Sequence, residues 1–134
     1  MFRRLFGKKE KLPVPDFKLP SEDELTTTST GLKYVAHEKG AGAPPGPTDM
    51  VTVHYCGWTL TGNKFDSSFD RGQTISFPLN GVIAGWTEGL QLMMPGGDFT
   101  FVIPADLAYG SRGAPPAIGP NETLVFRVEL HSVS

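Results

Sequence analysis

The chain has 134 residues, which corresponds to one domain, and its 16 glycines and 12 prolines favour short strands and turns over long helices. Its 12 basic and 14 acidic residues leave a net charge of −2. The single cysteine, Cys56, excludes an intrachain disulfide and fits a reducing compartment. No apolar run approaches the roughly 20 residues of a transmembrane helix, so the sequence predicts none.

The first 11 residues form a basic segment, with five basic residues and one acidic residue. In a helix, Phe2, Leu5 and Phe6 would share an apolar face flanked by cations, and such a face could lie on an anionic membrane surface or on nucleic acid. Because chain termini are usually disordered unless tied down, we instead expect a flexible, solubilising terminus and no nucleic-acid partner. Charge returns at Lys8, where the apolar part of a secretion signal should follow, so we expect a cytoplasmic location.

A linker is predicted between this segment and the folded domain. Three closely spaced prolines before Ser21 impose extended local geometry. Residues 21–24 match a helix capping box, but the threonine-rich residues 26–30 give such a helix nothing to continue with. The sequence therefore predicts an extended, flexible N-terminal arm at residues 1–29 and a folded domain at residues 30–134.

Strand patterns begin after Gly31. In the longest of them, period-two alternation places Val51, Val53 and Tyr55 on one face. The two final strands alternate in the same way, each with large apolar residues on one face. The predicted strands are Leu32–Glu38, Met50–Leu60, Thr74–Leu79, Asp98–Pro104 and Thr123–His131.

One helix is predicted, at Ile83–Leu92. Ile83, Trp86 and Leu90 would lie on one apolar stripe, and residues 95–97 (Pro-Gly-Gly) would end the helix. Several one-sided strands and one amphipathic helix indicate an α+β domain in which an antiparallel sheet of five to six strands wraps around a short helix.

Three short motifs, at Lys64–Ser68, Gly81–Trp86 and Ala108–Gly110, carry the functional signal. Each places bulky aromatic or aliphatic groups beside glycines or turn-forming residues. None of them supplies a nucleophile together with a base. The pattern indicates a pocket that binds an apolar group and performs no covalent step.

Other kinds of catalytic site find little support. His37, His54 and His131 lie on predicted strands, and no serine-centred motif or acidic partner is placed to complete a triad. Cys56 follows Tyr55 in a strand, so we expect a buried, unreactive thiol there. Metal-ligand spacing is absent, and neither a metal nor a cofactor is expected.

Together with residues 51–58 and 123–129, these motifs make the chain from about Gly31 to Val133 similar to the FKBP-type peptidyl-prolyl cis-trans isomerases. The resemblance implies an FKBP-like α+β fold and a catalytic set of Phe65, Asp66 and Tyr109. It also implies a set of substrate-binding residues, which are Tyr55, Phe77, Val82, Ile83, Trp86, Ile118 and Phe126.

The resemblance implies roles for several of these residues. Trp86 would form the floor of the pocket under a proline ring, and the Ile83 N–H and the Tyr109 hydroxyl would hold substrate carbonyls. Asp66 keeps three open roles: a catalytic acid, a group that orients Tyr109, or the ion-pair partner of Arg71.

The function that the resemblance implies is acceleration of X–Pro bond rotation in unfolded or flexible polypeptides, without a cofactor and with tacrolimus and rapamycin as inhibitors. We expect a monomer. The alternative is a non-catalytic proline-peptide-binding or chaperone-like module of the same fold. The intact set of Phe65, Asp66, Trp86 and Tyr109 favours the enzyme.

Residues 112–120 depart from the pattern of the family. They carry alanines where bulkier groups are common, and Gly119 where a second consecutive proline is typical. Because this loop overhangs the pocket in the family, the departure affects the expected substrate preference and inhibitor affinity.

Overall fold

The computed structural model describes residues 14–134, which form a seven-stranded antiparallel sheet packed against one main helix. The predicted apolar stripe of Phe2, Leu5 and Phe6 lies outside the described residues. The strands are β1 Thr26–Thr27, β2 Lys33–Glu38, β3 Met50–Thr59, β4 Lys64–Ser67, β5 Ile75–Pro78, β6 Asp98–Ile103 and β7 Leu124–Val133, and the helices are α1 Ser68–Arg71 and α2 Ala84–Leu90. The sheet order is β1-β2-β6-β7-β3-β4, and β5 also pairs with β3.

The α+β class predicted from the sequence is confirmed. β3 pairs along its length with β7 on one edge, while β5 and β4 share its other edge. Strands β1 and β4 were not predicted, because two to four residues are too few to display an alternating pattern.

The faces predicted for the long strands are confirmed. Val51, Val53 and Tyr55 are buried in one core cluster, together with the apolar faces of β6 and β7. Helix α2 approaches this face closely at two glycines. A Cβ atom at Gly85 would lie 2.5 Å from the Ile103 side chain, and one at Gly89 would lie 2.7 Å from the Phe101 ring.

Helix α2 is shorter than the predicted Ile83–Leu92. Ile83 has extended backbone angles (φ −58°, ψ 150°) and precedes the first turn, and Gln91 ends the last one. Trp86 and Leu90 face the core as predicted, at 5% and 0% exposure.

A second, smaller apolar cluster lies on the opposite face of the sheet. It consists of Cys56, Trp58, Phe69 and Val125, with Val14 and Phe17 packed against it. The Phe17 ring meets the Trp58 ring edge to face, with 5.7 Å between the ring centroids.

Residues 14–29 therefore contact the domain along several elements. β1 pairs with β2, and Glu22 forms an ion pair with Lys33 at 3.0 Å. The capping-box hydrogen bond from the Ser21 N–H to Glu24 is present at 2.9 Å, but it closes a turn and no helix follows. This part of the predicted arm is not extended away from the sheet, while the domain boundary at residue 29 stays a prediction.

Phe17→Ala should lower the free energy of unfolding by about 1–2 kcal/mol, because it removes a partly buried ring from Trp58. The activity that the resemblance implies should not change, since Phe17 packs in the second cluster, on the far side of the sheet from the main core. Urea denaturation measures the loss. Leu19→Ala is the matched control, because Leu19 is 47% exposed, and its effect should stay within about 0.5 kcal/mol. Equal losses for the two variants would contradict the packing role of Phe17.

Within residues 14–134, no helix is both long enough and apolar enough to cross a membrane.

Candidate active site

A cavity of about 460 Å³ opens where β3, β4, β5 and β7 meet the start of helix α2. Nine of the ten residues predicted for the site line it. The lining residues are Tyr55, Phe65, Asp66, Ile75, Phe77, Gly81, Val82, Ile83, Trp86, Tyr109 and Phe126.

Four of the six aromatic rings that line the cavity pack together at Trp86. The Trp86 indole meets Tyr55 and Phe126 edge to face, with centroid distances of 5.0 and 5.2 Å, and meets Phe77 at 5.5 Å. Because rings contact it on three sides, Trp86 is held in one orientation. Its indole N–H is buried and has no hydrogen-bond acceptor within residues 14–134.

Asp66 lies in a hydrogen-bonded network at the edge of the cavity. The Tyr55 hydroxyl donates to one carboxylate oxygen, and Arg71 Nη1 donates to the other at 2.6 Å. Arg71 Nη2 also donates to the Tyr55 hydroxyl at 3.2 Å, and the Ser67 N–H reaches Asp66 at 2.9 Å. Of the three roles open to Asp66, the structure contains the ion pair with Arg71. Tyr109 is not among its hydrogen-bond partners.

The same network sets the protonation of its members. Burial by itself would raise the pKa of Asp66, but the hydrogen bonds from Tyr55 and Arg71 outweigh it and hold this pKa below its ordinary value. Burial, together with the hydrogen bond to Asp66, raises the pKa of the Tyr55 hydroxyl. At neutral pH the site therefore holds an ionised carboxylate and a neutral phenol.

Acid should weaken this network and destabilise the fold. The unfolded chain protonates Asp66 near pH ~4, but the folded chain does so only at lower pH, so stability falls as pH decreases through that window. Asp66→Asn removes this contribution. Its free energy of unfolding should therefore fall less steeply than that of the parent between about pH 5 and pH 2, as followed by urea denaturation. Parallel curves would contradict the lowered pKa.

Two polar groups are placed to contact a bound peptide. Ile83 lines the cavity just before helix α2, and its backbone N–H has no acceptor within the described chain. Tyr109 is 41% exposed, so its ring stands at the rim. Both residues line the cavity, and their role as polar anchors stays a prediction.

Ile118 is the one predicted contact that does not line the cavity. Its side chain is 4% exposed and packs in the main core, and its backbone exchanges hydrogen bonds with Ala114 at 2.9 and 3.1 Å. The structure gives Ile118 a packing role in the 112–120 loop.

Sequence reasoning missed two lining residues, Ile75 and Gly81. Phe77 was named from the family resemblance, but Ile75 shares its face of β5, and that alternation could have identified Ile75. It is 38% exposed and forms an apolar part of the rim.

Comparison with known proteins identifies the family of the chain. Residues 42–131 match the family model described as FKBP-type peptidyl-prolyl cis-trans isomerase. The chain belongs to this family. FkpA of Aeromonas hydrophila is 50% identical over 112 residues, which are 84% of this chain and 41% of that protein.

Solved structures agree with the FKBP-type assignment. The crystal structure of FkpA from Escherichia coli superposes with a TM-score of 0.81 at 50% identity, over 84% of this chain and 53% of that one. A peptidyl-prolyl isomerase from Pseudomonas syringae gives 0.79 at 37% identity, over 85% of this chain and 84% of that one. The chain thus spans less than half the length of the matched Aeromonas FkpA.

Two other features of this FKBP-type domain bear on its chemistry: the grouping of possible metal ligands and the state of the cysteine thiol. Across residues 14–134, no three His, Cys, Asp or Glu side chains are grouped so that they could hold a metal ion. The Cys56 thiol is fully buried, and burial raises its pKa, as expected for an unreactive thiol. His37, His54 and His131 all lie on strands, as predicted.

Proposed function

We propose that the protein is a peptidyl-prolyl cis-trans isomerase that acts on proline-containing segments of unfolded or flexible polypeptides. The observation that carries the proposal is an apolar cavity around the Trp86 ring, lined also by Ile83, whose N–H has no acceptor within residues 14–134. Membership of the FKBP-type family supports the same activity.

The chemistry follows from amide resonance. Rotation about a peptide bond crosses a barrier of about 18–20 kcal/mol, and an uncatalysed X–Pro bond takes tens of seconds to isomerise. Twisting the bond breaks conjugation and reduces the charge separation between oxygen and nitrogen. Water therefore stabilises the planar state more than the twisted one. An apolar site removes that preference, which lowers the barrier by binding the transition state more tightly.

The residues divide this work between them. The Trp86 ring provides a flat apolar surface for the proline ring, and Phe77 and Phe126 keep water away from it. The Ile83 N–H and the Tyr109 hydroxyl bind flanking carbonyls while the bond turns. Asp66 acts through the hydrogen bond that it accepts from Tyr55.

Tacrolimus and rapamycin are proposed to compete with substrate for this cavity. Both place a pipecolyl ring where the substrate proline lies in the family. None of the residues of the 112–120 loop lines the cavity, so the thinned loop should reduce their affinity without abolishing it. Absence of inhibition at high drug concentration would count against the Trp86 cavity as the active site.

A protease-coupled or refolding assay tests the function, and Tyr109→Phe tests the site. Losing one neutral hydrogen bond should lower kcat/KM about tenfold, while the retained ring keeps the melting temperature near that of the parent. Tyr34→Phe is the matched control, because Tyr34 lies on β2 and is not among the lining residues. If Tyr109→Phe isomerises as fast as the parent, the hydroxyl has no role in turnover.

We also propose that the protein is a cytoplasmic monomer. The basic N-terminal segment is proposed not to bind membranes. Sedimentation velocity of the full chain measures its oligomeric state, and a dimer or larger assembly would contradict the proposed monomer. Liposome co-sedimentation with and without residues 1–13 measures membrane contact, and equal binding would remove any role for that segment.

A further inference from the structure

The edge of β3 has a gap beside the cavity. Strand β5 pairs with β3 as far as Val53, and β4 begins to pair only at Cys56. His54 and Tyr55 lie between them and have no strand partner on that edge. Buried backbone groups need hydrogen bonds, so Tyr55 requires another partner there.

The hydroxyl of Ser68 fills this gap. It accepts a hydrogen bond from the Tyr55 N–H at 2.7 Å and donates to the Tyr55 carbonyl at 3.3 Å. Ser68 is fully buried and lies two residues after Asp66. One side chain thus ties the backbone of Tyr55 to the segment that carries both Asp66 and Arg71.

His54 completes the arrangement from the other face of β3. Its Nδ1 lies 2.7 Å from the Ser68 hydroxyl, which has a single proton to donate. A hydrogen on Nδ1 leaves that proton free for the Tyr55 carbonyl. The imidazole is 3% exposed and stacks on Phe69 with 4.5 Å between ring centroids.

The surroundings favour an uncharged His54 ring. Two titratable groups lie near it on β7: the His131 ring, 5.5 Å away edge to face, and Glu129, which is 3.2 Å from His131. Burial, followed by the charge of His131, lowers the pKa of His54, and Glu129 opposes this. A neutral imidazole can keep one fixed hydrogen bond to Ser68.

We propose that Ser68 and His54 are positioning residues for the isomerase site: together they fix the backbone of Tyr55 so that its hydroxyl stays on Asp66. The proposal rests on the proposed function and names residues outside the cavity lining. Asp66 itself stays paired with Gly57 of β3, but at Tyr55 the strand pairing on this edge is interrupted. Without the Ser68 bonds, the backbone of Tyr55 is therefore less firmly fixed relative to Asp66.

Ser68→Ala should lower kcat/KM about three- to tenfold, as expected for a lost buried hydrogen bond. Thr100→Ala is the matched control, because Thr100 is 6% exposed and its hydroxyl bonds the His37 ring at 2.7 Å and touches neither Tyr55 nor Asp66. It should lower the melting temperature and leave kcat/KM unchanged. If Thr100→Ala lowers activity as much as Ser68→Ala, the effect is general destabilisation and the proposal fails.

A double-mutant cycle tests the route through the Tyr55 hydroxyl. In a Tyr55→Phe background, Ser68→Ala should still lower the melting temperature but should have little further effect on kcat/KM. A full, multiplicative effect in that background would overturn the proposal.

The pKa of Asp66, measured by NMR, provides a readout that does not depend on turnover. Ser68→Ala should raise it towards the ordinary value, because the hydrogen bond from Tyr55 loosens, whereas Thr100→Ala should not. If the parent protein had no isomerase activity, the proposed function would be refuted. The positioning proposal could still be tested, since the pKa of Asp66 does not depend on turnover. An unchanged pKa in Ser68→Ala would refute the positioning alone.

If Ser68→Ala does not fold, two substitutions of His54 test the positioning proposal instead. Asn places a polar atom near the position of Nδ1, whereas Leu has none, and both lose the stack on Phe69. His54→Asn should retain more of the activity and a lower Asp66 pKa than His54→Leu. Identical values for the two variants would overturn the proposal.

Discussion

Trp86→Ala should lower the free energy of unfolding by about 3–5 kcal/mol and remove isomerase activity. The indole is 5% exposed and is contacted by Tyr55, Phe77 and Phe126, so its removal leaves a void that these rings cannot all fill. The same void merges with the cavity and removes the surface proposed to bind proline. Urea denaturation and a peptide isomerisation assay at low temperature measure the two effects.

Trp58 provides the control for this experiment. It is buried to the same degree, at 4% exposure, but it lies in the second cluster on the opposite face of the sheet. Trp58→Ala should therefore destabilise the protein by a similar amount, about 3–5 kcal/mol, while the folded fraction keeps its activity. Should both variants lose activity equally, instability would explain the loss and the assignment of Trp86 would have no support. Trp86→Phe, which keeps a ring, should retain part of the activity.

The main core was predictable because its signals are periodic. Alternation along β3, β6 and β7 identified the inward faces, and the spacing of Trp86 and Leu90 identified the buried side of α2. The cavity followed from motifs whose order matches a known family. The lining position of Ile75 was missed although it shares the face of Phe77.

The second cluster was not predictable in the same way. Phe17 lies between Asp16 and Lys18 in a proline-rich stretch, so no strand or helix pattern marks it as buried. Its packing against Trp58 depends on which face of β3 remains uncovered, and that is decided by the whole sheet. The hydroxyl of Ser68 presents a similar case. Only the register of β4 and β5 against β3 reveals that Tyr55 lacks a strand partner on that edge of β3.

A large effect is also expected at Gly57, which lies on the cavity side of β3 between two aromatic rings. A Cβ atom there would lie 2.6 Å from the Phe126 ring and 2.8 Å from the Phe65 ring, closer than side-chain contacts permit. Phe126 is 4% exposed and is held by Trp86, whereas Phe65 is only partly buried. Gly57→Ala should therefore displace Phe65, destabilise the fold by about 1–3 kcal/mol and weaken substrate binding.

A second substitution separates this overlap from a general intolerance of alanine. Phe65→Leu shortens the side chain that must move, so in the Gly57→Ala background it should recover part of the lost stability, although by itself it destabilises the protein. Gly46→Ala, whose Cβ would have its nearest neighbour at 3.5 Å, should change stability by less than about 0.5 kcal/mol. Strictly additive losses for Gly57→Ala and Phe65→Leu would mean that the two sites do not compete for space. A non-additive gain would identify Gly57 as the residue that makes room for the paired rings of Phe65 and Phe126, which meet edge to face at 5.4 Å.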